Sequence, residues 1–286
     1  MKLFDAHCHL NFRAYDNDWK EVANSSLSRD IGIINVGTNA ATSRRAIELA
    51  HEFDDGVYAA VGLHPIHLAK DIKEEEEFDG VPYNFMTKAE KFDEAVFRQF
   101  IEDDRVVAIG EAGLDYYHLE DYKTDEMSPD EFKTLQQDTL RQILRFAQLN
   151  DMPVIFHCRD AYIDLIRIIK EINGGGNAIR GVVHCFSGSI EEASAVLELG
   201  LYIGFTGIVT FPNAKDVQDV VRSVPLERIL IETDAPYLAS QPVRGKRNEP
   251  QYVRFVADAI ARLHKTTTDE VSAVTMKNVQ DLFHVA

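Results

Sequence analysis

Cysteine is scarce in this chain, and acidic residues outnumber basic ones. Three cysteines among 286 residues are an odd number without the spacing of a disulfide framework, which argues against a secreted, disulfide-stapled domain and favours the cytoplasm. The sequence lacks a signal-peptide pattern and any apolar run of bilayer-spanning length, so we expect no membrane partner. With 30 basic and 47 acidic side chains, the net charge of −17 argues against a nonspecific coat for nucleic acid or anionic membrane.

Apolar runs rich in β-branched residues recur along the chain, and a helix-length segment follows each of them. They are mostly apolar rather than alternating, as expected of parallel strands that are covered on both faces. Eight such units in 286 residues predict an α/β protein with a single (β/α)8 TIM barrel over residues 1–286. A doubly wound open sheet is the alternative, but no glycine-rich dinucleotide turn follows the first run. The runs are 2–8, 31–37, 57–64, 106–113, 152–158, 179–186, 201–207 and 229–236.

An acidic insertion at about residues 70–92 follows the third predicted strand. Its stretch "DIKEEEEFDG" (71–80) has a composition typical of disorder. A second acidic loop, with Glu120, Asp121, Asp125 and Glu126, follows the fourth strand. Both loops should stand on the rim of the barrel mouth, where they would repel long or double-stranded nucleic acid. The alternative is that they extend into solvent and only keep the protein soluble.

Histidines and carboxylates stand at the same end of most of the predicted strands. In a (β/α)8 barrel the functional residues come from the C-terminal strand ends, so these side chains should meet at one mouth. Imidazole and carboxylate ligands together suit Zn²⁺, Mn²⁺, Fe²⁺ or a tolerant Mg²⁺ site rather than Ca²⁺. The residues in question are His7, His9, His64, Glu111, Asp115, His157, His184 and Asp234.

The number of potential ligands points to two metal ions. One catalytic ion with an open position needs three or four ligands, and this set has more. Two divalent ions bridged by a carboxylate fit better, and Glu111 is the natural bridge because it lies between the two groups of histidines in strand order. Two-metal sites of this kind hold both the attacking and the leaving oxygen in phosphoryl displacement.

Basic residues near these strand ends are candidates for binding a substrate phosphate. The loop "PVRGKRNEP" (242–250) contains Arg244, Lys246 and Arg247 and follows the eighth strand, while Arg159 follows His157 by two residues. Guanidinium groups bind phosphate well. We therefore assign Arg159, Arg244 and Arg247, together with His64, to substrate binding, although the loop could also be an ordinary solvated one.

Eight sequence blocks occur in the order of a known family. They are "DAHCHLN", "GLHP", "GEAGLDYY", "VIFHCRDA", "GVVHCFSGS", "GIVTFPNA", "ETDAPYL" and "RGKRNEP". Together they resemble the TatD-type metal-dependent deoxyribonucleases of the amidohydrolase-like barrels, over essentially the whole chain. The resemblance implies a first metal at His7, His9, Glu111 and Asp234 and a second at Glu111, His157 and His184. It also implies Mg²⁺- or Mn²⁺-dependent hydrolysis of DNA, typically from a 3′ end.

The expected function is therefore two-metal hydrolysis of DNA phosphodiesters at single-stranded ends by a cytoplasmic monomer, with Asp234 as general base beside the bridging Glu111. Some similar proteins deacylate D-aminoacyl-tRNA instead. A small-molecule amidohydrolase or lactonase is a further alternative, although those enzymes commonly use a carboxylated lysine where this chain has Glu111 and His157. A catalytically silent metal-binding scaffold is the last alternative.

Two departures from the family pattern stand near the expected site. Asn11 occupies a position where the family usually has Asp. An extra residue in "HPIH" (64–67) leaves the role of His67 open.

Overall fold

Eight parallel strands form the central sheet of the computed structural model, which describes residues 1–78, 81–117, 119 and 127–285. Each of the eight predicted runs overlaps one of these strands. The strands follow one another around the sheet in chain order, and a separate two-stranded sheet, β4 (Lys70–Phe78) with β5 (Val81–Lys88), lies between the third and the fourth of them in the sequence. They are β1 (Leu3–Cys8), β2 (Ile31–Val36), β3 (Val57–Val61), β6 (Val106–Asp115), β7 (Val154–Arg159), β8 (Gly181–Val183), β9 (Tyr202–Phe205) and β10 (Ile229–Ile231).

Helices follow the strands and cover the outside of the sheet. The longest of the described helices, α4 (Pro129–Leu149), begins with a capping box: the Ser128 hydroxyl accepts the backbone N–H of Glu131, whose carboxylate accepts the N–H of Ser128. Among the described residues, no helix has both the length and the apolar character needed to cross a bilayer. The helices are α1 (Trp19–Leu27), α2 (Ala40–Ala50), α3 (Glu94–Ile101), α4 (Pro129–Leu149), α5 (Tyr162–Asn173), α6 (Ile190–Glu198), α7 (Lys215–Ser223), α8 (Val253–His264) and α9 (Thr268–Phe283).

The segment after β10 returns to β1 and closes the ring. The N–H of Asp234 donates to the His7 carbonyl at 2.9 Å, and the N–H of His9 donates to the Ala235 carbonyl at 2.7 Å. Cys8 and Ala235 form a parallel bridge. The predicted (β/α)8 barrel is thereby confirmed, and the junction of its first and last strands lies at the C-terminal mouth.

The opposite end of the barrel is sealed by the last helix. Phe4, Ile34 and Leu230 lie in the barrel interior and form one buried cluster with Val279 and Phe283 of α9. A larger cluster lies between the sheet and the helices that surround it. Because apolar side chains fill the barrel and its base, the C-terminal mouth is the end that is open to a ligand.

The acidic insertion forms a β-hairpin, so the expectation of disorder over 71–80 is wrong for its described residues. Strand β4 (Lys70–Phe78) pairs antiparallel with β5 (Val81–Lys88). The physical reason is that β5 supplies apolar and hydroxyl groups to an otherwise acidic strand. The Thr87 hydroxyl accepts the N–H of Ile72 at 3.0 Å, and the Phe85 ring packs 5.5 Å from that of His67.

Part of the expected acidic rim lies outside the described residues. This applies to Asp79, Glu120, Asp121, Asp125 and Glu126. The side chains of residues 74–76 are also outside the described part. Repulsion of long nucleic acid by these loops therefore stays a prediction.

Candidate metal centre

A shift of register in β1 turns two histidines towards the mouth. Phe4 and Ala6 face the barrel interior, so strict alternation would also place Cys8 inside and His7 and His9 outside. The pairing with β2 changes register between Asp5 and Cys8, and the Cys8 side chain packs in the outer layer instead. Irregularities of this kind commonly re-aim side chains beside functional sites.

Four side chains form the first donor set: His7, His9, Asp234 and the Oε2 oxygen of Glu111. Nε2 of His7 lies 3.2 Å from Nε2 of His9, 3.5 Å from Glu111 Oε2 and 3.7 Å from Asp234 Oδ1. Nε2 of His9 lies 3.9 Å from Glu111 Oε2 and 3.4 Å from Asp234 Oδ1. Donors around a tetrahedral ion with bonds of about 2.1 Å are about 3.4 Å apart. The separations therefore fit one bound cation.

A backbone carbonyl fixes the donor atom of His9. Its Nδ1–H donates to the Val36 carbonyl at 2.8 Å. In the neutral imidazole this leaves the lone pair on Nε2, which faces His7 and Asp234. Partners of this kind hold a histidine in the tautomer and ring orientation that a metal requires.

Asp5 connects the two backbone segments that carry the first donor set, a role that the sequence did not indicate. Its Oδ1 accepts the N–H groups of Thr233 at 2.8 Å and His7 at 3.3 Å, and its Oδ2 accepts the Thr233 hydroxyl at 2.5 Å. Burial raises the pKa of Asp5 well above its ordinary value despite these bonds. Asp5 therefore joins the ends of β1 and β10, next to the backbones of His7 and Asp234.

The second donor set is formed by the other oxygen of Glu111 with His157 and His184. Oε1 of Glu111 lies 2.8 Å from Nδ1 of His157 and 2.7 Å from Nε2 of His184. Glu111 is only 4% exposed, so both of its oxygens are directed at imidazoles rather than at solvent. One buried carboxylate thus presents one oxygen to each histidine pair.

Two further carboxylates stand behind the histidines of the second donor set. Oδ2 of Asp115 lies 3.3 Å from Nε2 of His157, and Oε1 of Glu232 lies 3.6 Å from Nδ1 of His184. Asp115 was expected at the mouth but in neither ligand set. It contacts the far nitrogen of His157, and in the neutral ring this leaves the lone pair on Nδ1, which faces Glu111. Glu232 was missed. Its only sequence signal is its position two residues before Asp234.

His64 presents a proton rather than a lone pair to the mouth. Its Nδ1 accepts the N–H of Ile66 at 3.1 Å, so the neutral ring carries its proton on Nε2, 3.6 Å from Glu111 Oε1. Burial and the neighbouring His157 lower the pKa of His64 well below its ordinary value, which keeps the ring neutral. This geometry suits a hydrogen-bond donor to a bound anion.

The carboxylates of both donor sets stay ionised. Burial alone would raise the pKa of Glu111, but the imidazoles of His184, His64 and His157 lower it well below its ordinary value. Asp234 behaves similarly, since His9, His184 and His7 outweigh its burial and lower its pKa. A concentrated negative charge surrounded by imidazole nitrogens is a donor set that fits a divalent cation.

Glycines let the strands that carry these residues come close together. A Cβ on Gly113 would lie 1.8 Å from the carbonyl oxygen of His157, and a Cβ on Gly62 would lie 2.4 Å from the carbonyl carbon of Gly110. Any side chain at these positions would push apart β3, β6 and β7. The spacing between Glu111 and His157 depends on this close approach.

Comparisons with known proteins agree with this geometry. The family model described as TatD related DNase matches residues 4–284. The chain belongs to this family.

Several TatD relatives are named metal-dependent hydrolases. The chain is 39% identical over 284 residues to YabD of Bacillus subtilis, with 99% of each chain covered. It is 35% identical to YcfH of Escherichia coli, covering 100% of this chain and 97% of the relative. The crystal structure of the TatD homologue YjjV from E. coli superposes with a TM-score of 0.80 at 30% identity, covering 100% and 99% of the two chains. The TatD barrel is thus shared along the full length.

Arg159 and Arg244 lie on the rim of the TatD barrel mouth, as expected. Arg159 is the last residue of β7, and its guanidinium stacks 3.8 Å from the centre of the Tyr117 ring. Arg244 is exposed in the loop after β10 and packs 5.0 Å from the centre of the Phe211 ring.

Arg247 departs from the expectation that it binds a substrate phosphate. Its Nη1 donates to the Ala14 carbonyl at 2.6 Å and to Asp18 Oδ1 at 2.9 Å, and its Nη2 donates to Asp18 Oδ2 at 2.5 Å. The guanidinium also stacks over the Tyr15 ring. Because Asp18 already neutralises its charge, Arg247 fastens the basic loop to the start of α1.

The two departures from the TatD pattern have structural roles. The Asn11 amide donates to the carbonyls of Val36 at 3.0 Å and Thr42 at 2.9 Å, which an ionised aspartate could not do. His67 is buried beneath the hairpin, with Nε2 3.2 Å from the Thr38 hydroxyl. Neither side chain belongs to the two donor sets.

Proposed function

We propose that this chain is a two-metal phosphodiesterase that removes nucleotides from the 3′ ends of single-stranded DNA. The proposal depends mainly on the position of the Glu111 carboxylate between the two donor sets. Its Oε2 faces the first donor set and its Oε1 faces the second. Two ions that share a carboxylate are typical of enzymes that hydrolyse phosphoryl esters. The description of the family as TatD related DNases supports DNA as the substrate.

The two donor sets would each hold one divalent cation. His7, His9, Asp234 and Glu111 would bind the first, and Glu111, His157 and His184 would bind the second. Mg²⁺ or Mn²⁺ suits the carboxylates, while Zn²⁺ or Fe²⁺ would also accept this mixture of nitrogen and oxygen. When bound, such ions supply Lewis-acid stabilisation of charge on the phosphate and lower the pKa of a coordinated water.

The side chains around the donor sets would orient the phosphodiester and move its protons. His64 donates its Nε2–H to a phosphate oxygen, because its Nδ1 is already occupied by the N–H of Ile66. Asp234 accepts a proton from the attacking water on Oδ2, because its Oδ1 faces His7 and His9. Arg159, at the end of β7, pairs with the same phosphate or its neighbour.

The test of the proposed reaction uses 5′-labelled and 3′-labelled single-stranded oligonucleotides with protein loaded with Mn²⁺ or Mg²⁺. We expect a ladder of shortened 5′-labelled products, and release of the 3′ label as a mononucleotide. EDTA should abolish the activity and added metal should restore it. Parallel assays with RNA, D-aminoacyl-tRNA and a lactone separate the alternatives. Hydrolysis of one of these substrates without cleavage of DNA would refute the proposal.

Asp234→Asn tests the role of the general base. Turnover should fall by about 10²- to 10⁴-fold, the usual contribution of a positioned acid or base. Asp160→Asn is a matched control, because Asp160 is an exposed aspartate on the same rim with φ 55°, close to the φ of 57° at Asp234. Elemental analysis should find both ions retained in Asp234→Asn. Loss of one ion would make Asp234 chiefly a ligand, and unchanged turnover would contradict both roles.

A further inference from the structure

A cavity of about 420 Å³ lies beside the first donor set, between the hairpin and the loop that follows β10. We call it the rim cavity. Its volume is in the range of sites that bind small molecules. The residues that matter here are Phe78, Phe211, Tyr237, Arg244 and Lys246, and Glu77 also lines it.

The rim cavity is continuous with the metal centre through Tyr237. The Tyr237 backbone N–H donates to the carbonyl of Asp234 at 2.9 Å, and its ring lies 6.4 Å from the ring of His9 at an angle of 75°. The same ring forms part of the cavity wall. The cavity therefore lies directly beside the first donor set.

Aromatic rings from three separate parts of the chain line the cavity. Phe78 comes from the end of β4, Tyr237 from the turn after β10, and Phe211 from the segment before α7. The rings of Phe78 and Tyr237 lie 5.4 Å apart at 70°. Such rings bind nucleobases by stacking, whatever the base, because every base offers a π face.

The charged residues that line the cavity are mainly basic, although the protein as a whole is acidic. The net charge of the chain is −17, yet three basic residues, Arg244, Lys246 and Arg247, line this cavity with one acid, Glu77. Of the three basic residues in the loop, only Arg247 has an ion-pair partner within the described part of the chain. Arg244 and Lys246 therefore offer positive charge next to aromatic surface, which is the combination that binds single-stranded nucleic acid.

We propose that the rim cavity binds the nucleotide next to the scissile phosphate of a single DNA strand. Its base stacks against Phe78 and Tyr237, and Arg244 and Lys246 neutralise the adjoining phosphate. This inference rests on the proposed phosphodiesterase function and adds a base-binding subsite that the metal centre does not require.

The test compares variants of the cavity with a matched control on the same hairpin. Phe78→Ala removes one aromatic wall of the cavity, and Arg244→Ala removes one positive charge. The control is Met86→Ala with Lys88→Ala, because both residues are exposed on β5 and do not line the cavity. Phe78→Tyr keeps a ring and should restore binding if loss of the ring, rather than disruption of the hairpin, explains the effect of Phe78→Ala.

Binding is measured apart from turnover, by fluorescence anisotropy of a 5′-labelled oligothymidylate. The Mn²⁺-loaded protein carries Asp234→Asn in every variant so that the strand stays intact. Phe78→Ala should raise Kd about tenfold, in line with the contribution of one stacked base. Arg244→Ala should raise Kd mainly at low salt, since screening weakens a phosphate contact. The parent should bind an oligonucleotide with abasic 3′-terminal residues more weakly than the intact strand. The Kd of that complex should be close to the Kd of Phe78→Ala for the intact strand.

Each outcome decides between the two proposals. Equal Kd values for intact and abasic strands, or no binding at all, would overturn the base-binding subsite. If the protein with native Asp234 still cleaves DNA in that case, the phosphodiesterase proposal stands without the subsite. If the variants differ in binding but the protein with native Asp234 hydrolyses no DNA, the subsite stands and the proposed reaction fails.

Discussion

Protonation of His67 should weaken the fold as the pH falls below neutrality. His67 is 7% exposed, its ring packs against Phe85 of the hairpin, and its Nε2 lies 3.2 Å from the Thr38 hydroxyl. Burial lowers the pKa of His67 to about 4. The folded-state pKa is therefore below that of the unfolded chain, about 6.5. The contribution to stability is complete above pH 6.5 and is lost progressively as the pH falls towards 4.

The size of this loss follows from the two pKa values. The interval between about 4 and about 6.5 corresponds to about 3 kcal/mol when fully expressed. At pH 5 the unfolded chain has already bound its proton while the folded chain has not, and about 2 kcal/mol of the free energy of unfolding should be gone. The small exposure of His67 means that solvent screening removes little of this effect.

His67→Gln isolates the effect. Glutamine can still donate to the Thr38 hydroxyl but does not titrate between pH 5 and 7. Urea unfolding in EDTA should show that the parent loses about 2 kcal/mol more than His67→Gln between these pH values. The same pH response in the parent and in His67→Gln would refute the reasoning.

Two further predictions concern the second donor set. Asp115→Asn should lower the affinity of that set for Mn²⁺ by about 10- to 100-fold in calorimetric titration, because the amide no longer selects the His157 tautomer; an unchanged affinity would contradict this role. Gly113→Ala should lower the free energy of unfolding by about 3 kcal/mol, because its Cβ would collide with the His157 carbonyl. Gly175→Ala, whose Cβ would lie 3.6 Å from its nearest neighbour, should change stability by no more than about 0.5 kcal/mol.

The barrel and its open end could be predicted because both depend on repeated patterns. Buried parallel strands are apolar on both faces, so runs such as 152–158 are visible in the sequence, and each of the eight predicted runs overlaps a strand. Strand ends then indicate the mouth. His157 and His184 could be placed together in this way without knowledge of any single contact.

The direction of individual side chains could not be predicted with the same rule. Alternation from Phe4 and Ala6 would turn His7 away from the mouth, and only the register shift in β1 reverses it. A shift of this kind depends on pairing with β2 and leaves no local sequence signal. The prediction of the histidine pair succeeded because His7 and His9 share a face whichever way β1 is turned.

Contacts between residues that are distant in the sequence could not be predicted either. Arg247 resembled a phosphate ligand because it lies in a basic loop, but Asp18, far away in the chain, binds its guanidinium. The stretch 71–80 resembled disorder because its stabilising strand, β5, lies beyond it. The roles of Glu232 and Asp234 could not be distinguished from the sequence. Both are acidic residues, and they differ in burial and in the direction of their side chains.

Closure of the barrel has a consequence for the order in which the metal centre is assembled during synthesis. Glu111, His157 and His184 lie on or directly after β6, β7 and β8, which are neighbours in the chain and in the sheet. His7 and His9 must instead wait for Asp234, which reaches them only when the last strand joins the first. A cation held by the first donor set would therefore connect the first strand of the barrel to the last and stabilise the closed ring.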